Sequence, residues 1–210
     1  HMVRGNHECK ELVQRYGFED ELRLKYPDEF DGLYQQCQHF YATLPVAIYF
    51  GFYDDEVGHM QFGLGCHGSA SPYFDARPLL ARDGNMACQL LEDPVADSGM
   101  LRFWLQHGGF KQRAEKYKAH LMEWGDVTGD SKKELFAGNP APTMEQIMAI
   151  AWAPDGARGI TMHFRDLRKM LTAMGVSFQI RGHQDDHAAV KVPCDGEVAP
   201  ISVRGHPGFA

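Results

Sequence analysis

The sequence predicts an α/β protein, and three observations carry that prediction. Two apolar runs over residues 46–50 and 60–66 flank a turn rich in Asp and Gly, so they read as a strand hairpin. Phe164, Leu167, Leu171 and Met174 recur at helical spacing and stop at Gly175. A further apolar run over 176–180 follows at once. Strand, helix and strand in that order suit a layered sandwich with its site at the strand ends. A chain of 210 residues, 44% hydrophobic and 23% charged, is long enough and ordinary enough in composition for one well-buried core.

Residues 8–16 have helical spacing and end at Gly17, a natural C-terminal cap. Phe30, Leu33, Cys37, Phe40 or Tyr41, and Leu44 then recur at intervals of three and four, which builds one apolar helix face over 29–44. The run at 46–50 is expected to be a buried strand, and the second strand ends at His67. Residues 87–142 are helical in character. Within them Gly108 and Gly109 interrupt a short helix around Met100, Phe103, Trp104 and Leu105. Phe110, Ala114, Tyr117, Leu121 and Trp124 form a narrow apolar stripe, suited to packing inside this protein or to a groove for a protein partner over 98–125.

Asp126, Thr128, Asp130 and Glu134 suggest a calcium loop at first sight. An EF-hand requires Gly at its sixth position and Glu at its twelfth, where this chain has Ser131 and Ala137, so calcium is set aside. Ser131 with Glu134, and Thr143 with Gln146, have capping-box spacing, each predicting a helix start.

The net charge of −7 and the absence of any basic run argue against nucleic acid as a partner. The longest apolar stretch, 44–52, is far shorter than a bilayer span and contains Pro45 and Gly51. Cys9, Cys37, Cys66, Cys88 and Cys194 are odd in number and form no Cys-x-x-Cys pair, which fits reduced thiols in the cytoplasm. Cys66, beside His67, reads as a small apolar strand residue rather than a zinc ligand.

Three short stretches set polar, metal-capable groups beside apolar segments: Arg4-Gly5-Asn6-His7-Glu8, Cys66-His67-Gly68-Ser69 and Arg181-Gly182-His183-Gln184. Alone, each histidine is more simply a surface or hydrogen-bonded core residue. In this order, with Tyr16-Gly17-Phe18, Asp20-Glu21, Leu44-Pro45-Val46-Ala47, Ser71-Pro72, Trp152 and Arg158-Gly159, the chain resembles the phosphoprotein phosphatases among the calcineurin-like metallophosphoesterases. The resemblance runs over most of 3–184 and implies a β-sandwich flanked by helices. It implies a core of 1–86 and 143–210 carrying a helical insertion over 87–142, which the common eukaryotic members lack.

The resemblance also implies the chemistry. Two divalent ions, manganese foremost with iron or zinc as alternatives, activate a bridging hydroxide that attacks a phosphate monoester of a phosphoprotein in line. Asn6, His67 and His183 match ligands of the second metal, and Asn6 also lies against the substrate phosphate. His7 matches the general acid that protonates the departing serine, threonine or tyrosine oxygen. Arg158 matches a phosphate clamp, whose planar fork binds two oxygens at once; read without the family, it is a turn residue after Pro154-Asp155-Gly156. Arg4, Glu8 and Arg181 are expected to be scaffold. Two upstream motifs of the family, Asp-x-His and Gly-Asp-x-x-Asp-Arg, should precede Arg4, so the resemblance implies a site completed by residues outside this sequence. Ser69 replaces the second glycine of the family's His-Gly-Gly, and the tail over 185–210 departs from the family's pattern. The missing motifs and the tail keep a second expectation open: a phosphatase-fold binding module that uses the aromatic insertion.

Overall fold

Small residues at alternate positions let the central strand run beneath large aromatic rings. A Cβ at Gly63 would stand 2.6 Å from the rings of both Phe50 and Phe178, so only glycine fits under that pair. The computed structural model describes residues 2–56, 58–81, 118–138, 141–150, 152, 160–184 and 200–202. Among them β1 (Ala47–Asp54) and β2 (His59–Cys66) form the expected hairpin. Further along, β3 (Asp126–Thr128) pairs in parallel with β4 (Thr161–His163). The strands β5 (Phe178–Arg181) and β6 (Pro200–Ser202) complete a four-stranded sheet of order β1-β2-β5-β6, in which β2, β5 and β6 run parallel.

The helices follow from local sequence. α1 (Lys10–Arg15) ends at Gly17, which takes a φ of 82° that favours glycine. α2 (Phe18–Lys25) buries no residue; it is held by an acidic first turn, a basic last turn and the i,i+4 pairs Glu19–Arg23 and Glu21–Lys25. α3 (Phe30–Thr43) matches the expected span, but only Phe30 on its apolar face is buried. After α4 (Arg77–Leu80) and α5 (Lys118–Trp124), α6 (Met144–Ala149) opens with the predicted capping box. The Thr143 hydroxyl accepts from Gln146 N–H at 3.3 Å, and the Gln146 side chain accepts from Thr143 N–H at 2.8 Å. Last comes α7 (Phe164–Ala173), followed by Gly175 at φ 76°.

Two expectations are corrected. Residues 131–133 form a 3-10 turn rather than the helix predicted from Ser131 and Glu134. Its cap is Asp130, whose carboxylate accepts from Lys132 N–H at 3.0 Å and so displaces the Ser131 hydroxyl from that role. The run read as a buried strand at 46–50 is the start of β1, the edge strand among the described residues, with its middle exposed. Its apolar residues divide between two faces: Val46, Ala47 and Tyr49 pack against the core, while Phe50, with Phe52 beyond the run, packs against Phe178 on the outer face at ring separations of 5.6 and 6.1 Å.

The core lies on the other face. Leu64 and Cys66 of β2 meet Leu167, Met170, Leu171 and Met174 of α7, together with Met144 and Ile147 of α6, Met162 of β4 and Val127 of β3. Leu121 and Met122 of α5 belong to the same cluster, so the described end of the aromatic stripe turns into this protein. Residues 98–117 of that stripe, including Phe110, Ala114 and Tyr117, lie outside the described residues. Tyr73 is wholly buried and links two segments: its hydroxyl donates to Ile150 C=O at 3.2 Å and accepts from Trp152 N–H at 3.3 Å. Asp166, also wholly buried, accepts from Leu135 N–H and Phe136 N–H at 2.7 and 3.1 Å, tying α7 to the loop after the 3-10 turn. Among the described residues no helix is long and apolar enough to cross a membrane.

Leu167 makes a quantitative check. Leu167→Ala is expected to cost about 2–5 kcal/mol in urea unfolding, as a buried leucine leaves a cavity. Leu24→Ala on the exposed face of α2 is expected to stay within about 0.5 kcal/mol of the parent.

Candidate metal centre

Parallel pairing sets the site. Cys66 is level with Arg181 across the β2–β5 ladder, so the residues that follow each strand, His67 and Gly182-His183, emerge at one carboxyl edge of the sheet. Gly182 N–H donates to His67 C=O at 3.1 Å and continues the ladder one step. The imidazoles then meet: His67 Nε2 lies 3.3 Å from His183 Nδ1, with the rings edge to face at 73°. His183 is the centre of a γ-turn, with φ 73° and Gln184 N–H donating back to Gly182 C=O at 2.9 Å. This turn is rare and strained for a residue with a side chain, and strain of this kind collects at functional sites.

The first motif joins them through a glycine. A Cβ at Gly5 would stand 3.0 Å from Cγ and Nδ1 of His67, so the backbone before Asn6 rests directly on that ring. Asn6 follows in a 3-10 turn spanning Asn6–Glu8; the Glu8 carboxylate accepts from Gly5 N–H at 2.8 Å and fixes the turn. Asn6 is buried, and its Oδ1 has no hydrogen-bond partner. His7, the next residue, is exposed and stacks on Tyr16 at 4.8 Å. The turn thus sends one polar side chain inward and its neighbour outward.

Burial pushes the His67 pKa down to about 4, and the nearby His183, His7 and Arg181 push the same way. At neutral pH its imidazole is therefore uncharged, with a lone pair available. Behind His183, Asp126 Oδ1 lies 3.3 Å from Nε2, though out of line for a hydrogen bond. Trp124 packs against the same imidazole at 6.0 Å.

A buried polar network holds these parts in place. Arg181 donates from Nε to Gly68 C=O at 2.6 Å, from one terminal nitrogen to Gly125 C=O at 2.9 Å, and from the other to Gln184 Oε1 at 2.5 Å. Gln179 is wholly buried beside it, donating to Gly68 C=O and accepting from Ala70 N–H. Gly68 N–H donates to Met122 C=O at 2.7 Å, and a Cβ at Gly68 would strike the Glu123 and Gly125 backbones. Ser69, the departure from His-Gly-Gly, fits because its neighbour is Gly125: a Cβ there would stand 2.8 Å from the Ser69 Cβ. Arg4 donates to Glu123 at 2.5 Å, linking the first motif to α5. Arg4, Glu8 and Arg181 are thus scaffold, as expected.

With this geometry in view, a protein-family comparison gives a match to the Calcineurin-like phosphoesterase model over residues 1–186. The chain belongs to the calcineurin-like phosphoesterase family. The chain is 42% identical over 48 residues to a Probable serine/threonine-protein phosphatase of Encephalitozoon cuniculi, a match covering 23% of this chain and 10% of that protein. It is 40% identical over 47 residues to Serine/threonine-protein phosphatase 7 of Arabidopsis thaliana, covering 22% and 11%. The matched stretches therefore cover only about a tenth of the length of these curated relatives. Among solved structures it is similar to a protein serine/threonine phosphatase of Saccharomyces cerevisiae, with a TM-score of 0.47 and 17% identity over 96% of this chain and 47% of that one.

The family implies divalent metal, and the residues gathered here fit one. The imidazole nitrogens of His67 and His183 face each other, and the buried amide oxygen of Asn6, the residue after the glycine that packs on the His67 ring, lacks a partner; nitrogen and oxygen donors of this kind suit manganese, iron or zinc. Among the described residues no group of three or more His, Cys, Asp and Glu side chains gathers around a common point. The candidate donors named from the sequence are instead two histidines and an asparagine. Cys66 takes no part: Gln179 donates to its sulfur at 3.2 Å, and burial pushes its thiol up to about 12. Arg158 lies outside the described residues. Sequence reasoning did not bring Glu123, Trp124 or Asp126 to this site: Trp124 had drawn notice only in the apolar stripe, and Asp126 only in a calcium-like stretch.

Arg181→Leu is expected to leave the Gly68 and Gly125 carbonyls without this partner, at about 1–3 kcal/mol for each. Urea unfolding of the variant would measure the loss, and loss of the His67–His183 contact in its crystal structure would show that the network sets the site.

Proposed function

We propose that this chain contributes the second-metal half of a dimetal phosphoprotein phosphatase site, hydrolysing phosphate monoesters on serine, threonine or tyrosine side chains. The observation that carries the reading is the meeting of His67 Nε2 and His183 Nδ1 at 3.3 Å, with the backbone just before the buried Asn6 packed on the His67 ring. Asn6 Oδ1, His67 Nε2 and His183 Nδ1 would hold the ion. When bound, the pair of ions supplies Lewis acidity, lowering the pKa of water and neutralising phosphoryl charge. The ligands of the first ion would come from residues upstream of this sequence, as the family resemblance implies.

His7, outward of the donors, would give its proton to the departing alkoxide or phenoxide. Its exposure supports this role, since a leaving group carried by a protein must approach from solvent. Arg158 would clamp the phosphate by its planar fork. The names of both curated relatives favour phosphoserine and phosphothreonine over phosphotyrosine. Among the described residues Cys37 and Cys66 are free thiols, which supports a reducing cytoplasmic setting.

The test uses the full-length protein with added manganese and a phosphopeptide. His7→Asn is expected to lower kcat about 10²- to 10⁴-fold with thermal stability unchanged, and His67→Ala to lower bound metal measured by elemental analysis. Removal of metal with a chelator is expected to stop turnover, and readdition to restore it. Unchanged turnover in both variants would replace this reading with that of a binding module on the same fold.

A further inference from the structure

We infer that Asp126 is a positioning residue for His183: its carboxylate keeps the imidazole proton on Nε2 and so turns the bare Nδ1 toward His67. The inference rests on the reading of His183 as a metal donor, and it adds a residue that the three motifs do not contain.

The argument begins with the two nitrogens of His183. Nδ1 faces His67 Nε2 at 3.3 Å, whereas Nε2 faces Asp126 Oδ1 at 3.3 Å on the far side of the ring. An imidazole between a donor site and a carboxylate is asymmetric, because a carboxylate accepts protons and gives none. The favoured neutral form thus carries hydrogen at Nε2 and a lone pair at Nδ1. Both side chains are largely buried, at 7% and 16% exposure, so the carboxylate is poorly screened and its preference is strong. Carboxylates behind metal-binding histidines fix tautomer and ring orientation in this way and raise ligand basicity.

The backbone around Asp126 is held for this purpose. Its N–H donates to Ile160 C=O at 3.0 Å. The next residue, Val127, is gripped by the side chain of Gln184, which accepts from Val127 N–H at 2.8 Å and donates to Val127 C=O at 3.1 Å. Gln184 follows His183, and Val127 follows Asp126, so this doubled bond staples the two residue pairs side by side. Arg181 fastens the same Gln184 from below. Trp124 packs edge to face against the ring at 6.0 Å.

The test has two readouts. In metal-free full-length protein with ¹⁵N-labelled histidine, long-range proton–nitrogen correlation reports which His183 nitrogen is protonated, with assignment by His183→Gln. The expected result is hydrogen on Nε2 in the parent and a mixed population in Asp126→Ala. Manganese binding, followed by its paramagnetic resonance, is expected to weaken roughly 10- to 100-fold in that variant. Should Asp126→Ala fail to fold, Asp126→Asn has the same shape without the charge, and its Nε2–H preference is expected to drop several-fold. Hydrogen on Nδ1 in the parent, or an unchanged tautomer in the folded variant, would overturn the inference. A tautomer that follows Asp126 while the parent binds no manganese would support the positioning and refute the metal reading. Manganese bound equally by parent and variant, with the tautomer unmoved, would do the reverse.

Discussion

The buried guanidinium of Arg181 is the interaction on which the rest of the site depends. A strand end normally leaves its carbonyls to solvent, yet here the carbonyls of Gly68 and Gly125 are turned inward by two chain segments that cross close behind the sheet edge. Burying them without partners would be costly. Arg181 answers both from one planar group and has a further N–H for Gln184. Removal from water pushes the Arg181 pKa down, although a guanidinium starts so high that it remains charged. That standing charge also helps to keep His67 neutral.

Glycines make the crossing close enough for such a network. Gly68 meets the Glu123 and Gly125 backbones and Gly125 meets Ser69, each at under 3.0 Å from where a Cβ would stand, and Gly5 meets the His67 ring at 3.0 Å. Backbone therefore lies where side chains usually would, and the polar atoms of three motifs are drawn together. The left-handed backbone of His183 belongs to the same design, since a tight reversal right after β5 is what carries its imidazole back over His67.

The strands, the hairpin and helix α7 were legible because each follows an uninterrupted local pattern: apolar runs closed by turn residues, or a period near 3.6 closed by Gly175. Helix α2 was not, because FEDELRLK buries nothing and is supported by charge pairs rather than an apolar face. The edge placement of β1 was hidden for the opposite reason, as Phe50 on the outer face continues in sequence the run of Val46, Ala47 and Tyr49 that packs on the core. For the site, Asn6, His7, His67 and His183 could be named from short motifs that resemble a family. Asp126, Trp124 and Glu123 could not, since they reach His183 and Arg4 only through the pairing of β3 with β4 and the turn of α5. No spacing along the chain encodes a contact that folding alone creates.

The inward face of β5 has a consequence for folding fidelity. It presents Gln179 and Arg181, both buried, whereas the outward face presents Phe178 and Ile180. Had that face been aliphatic, a shift of β5 by one residue along β2 would exchange one greasy surface for another at modest cost. With amide and guanidinium inside, the same slip would pull both away from the carbonyls they serve and drive Ile180 into a polar hollow. The strand is thus proofread by its hydrogen bonds, and the alignment that makes two distant histidines neighbours is the only one in which those bonds can close.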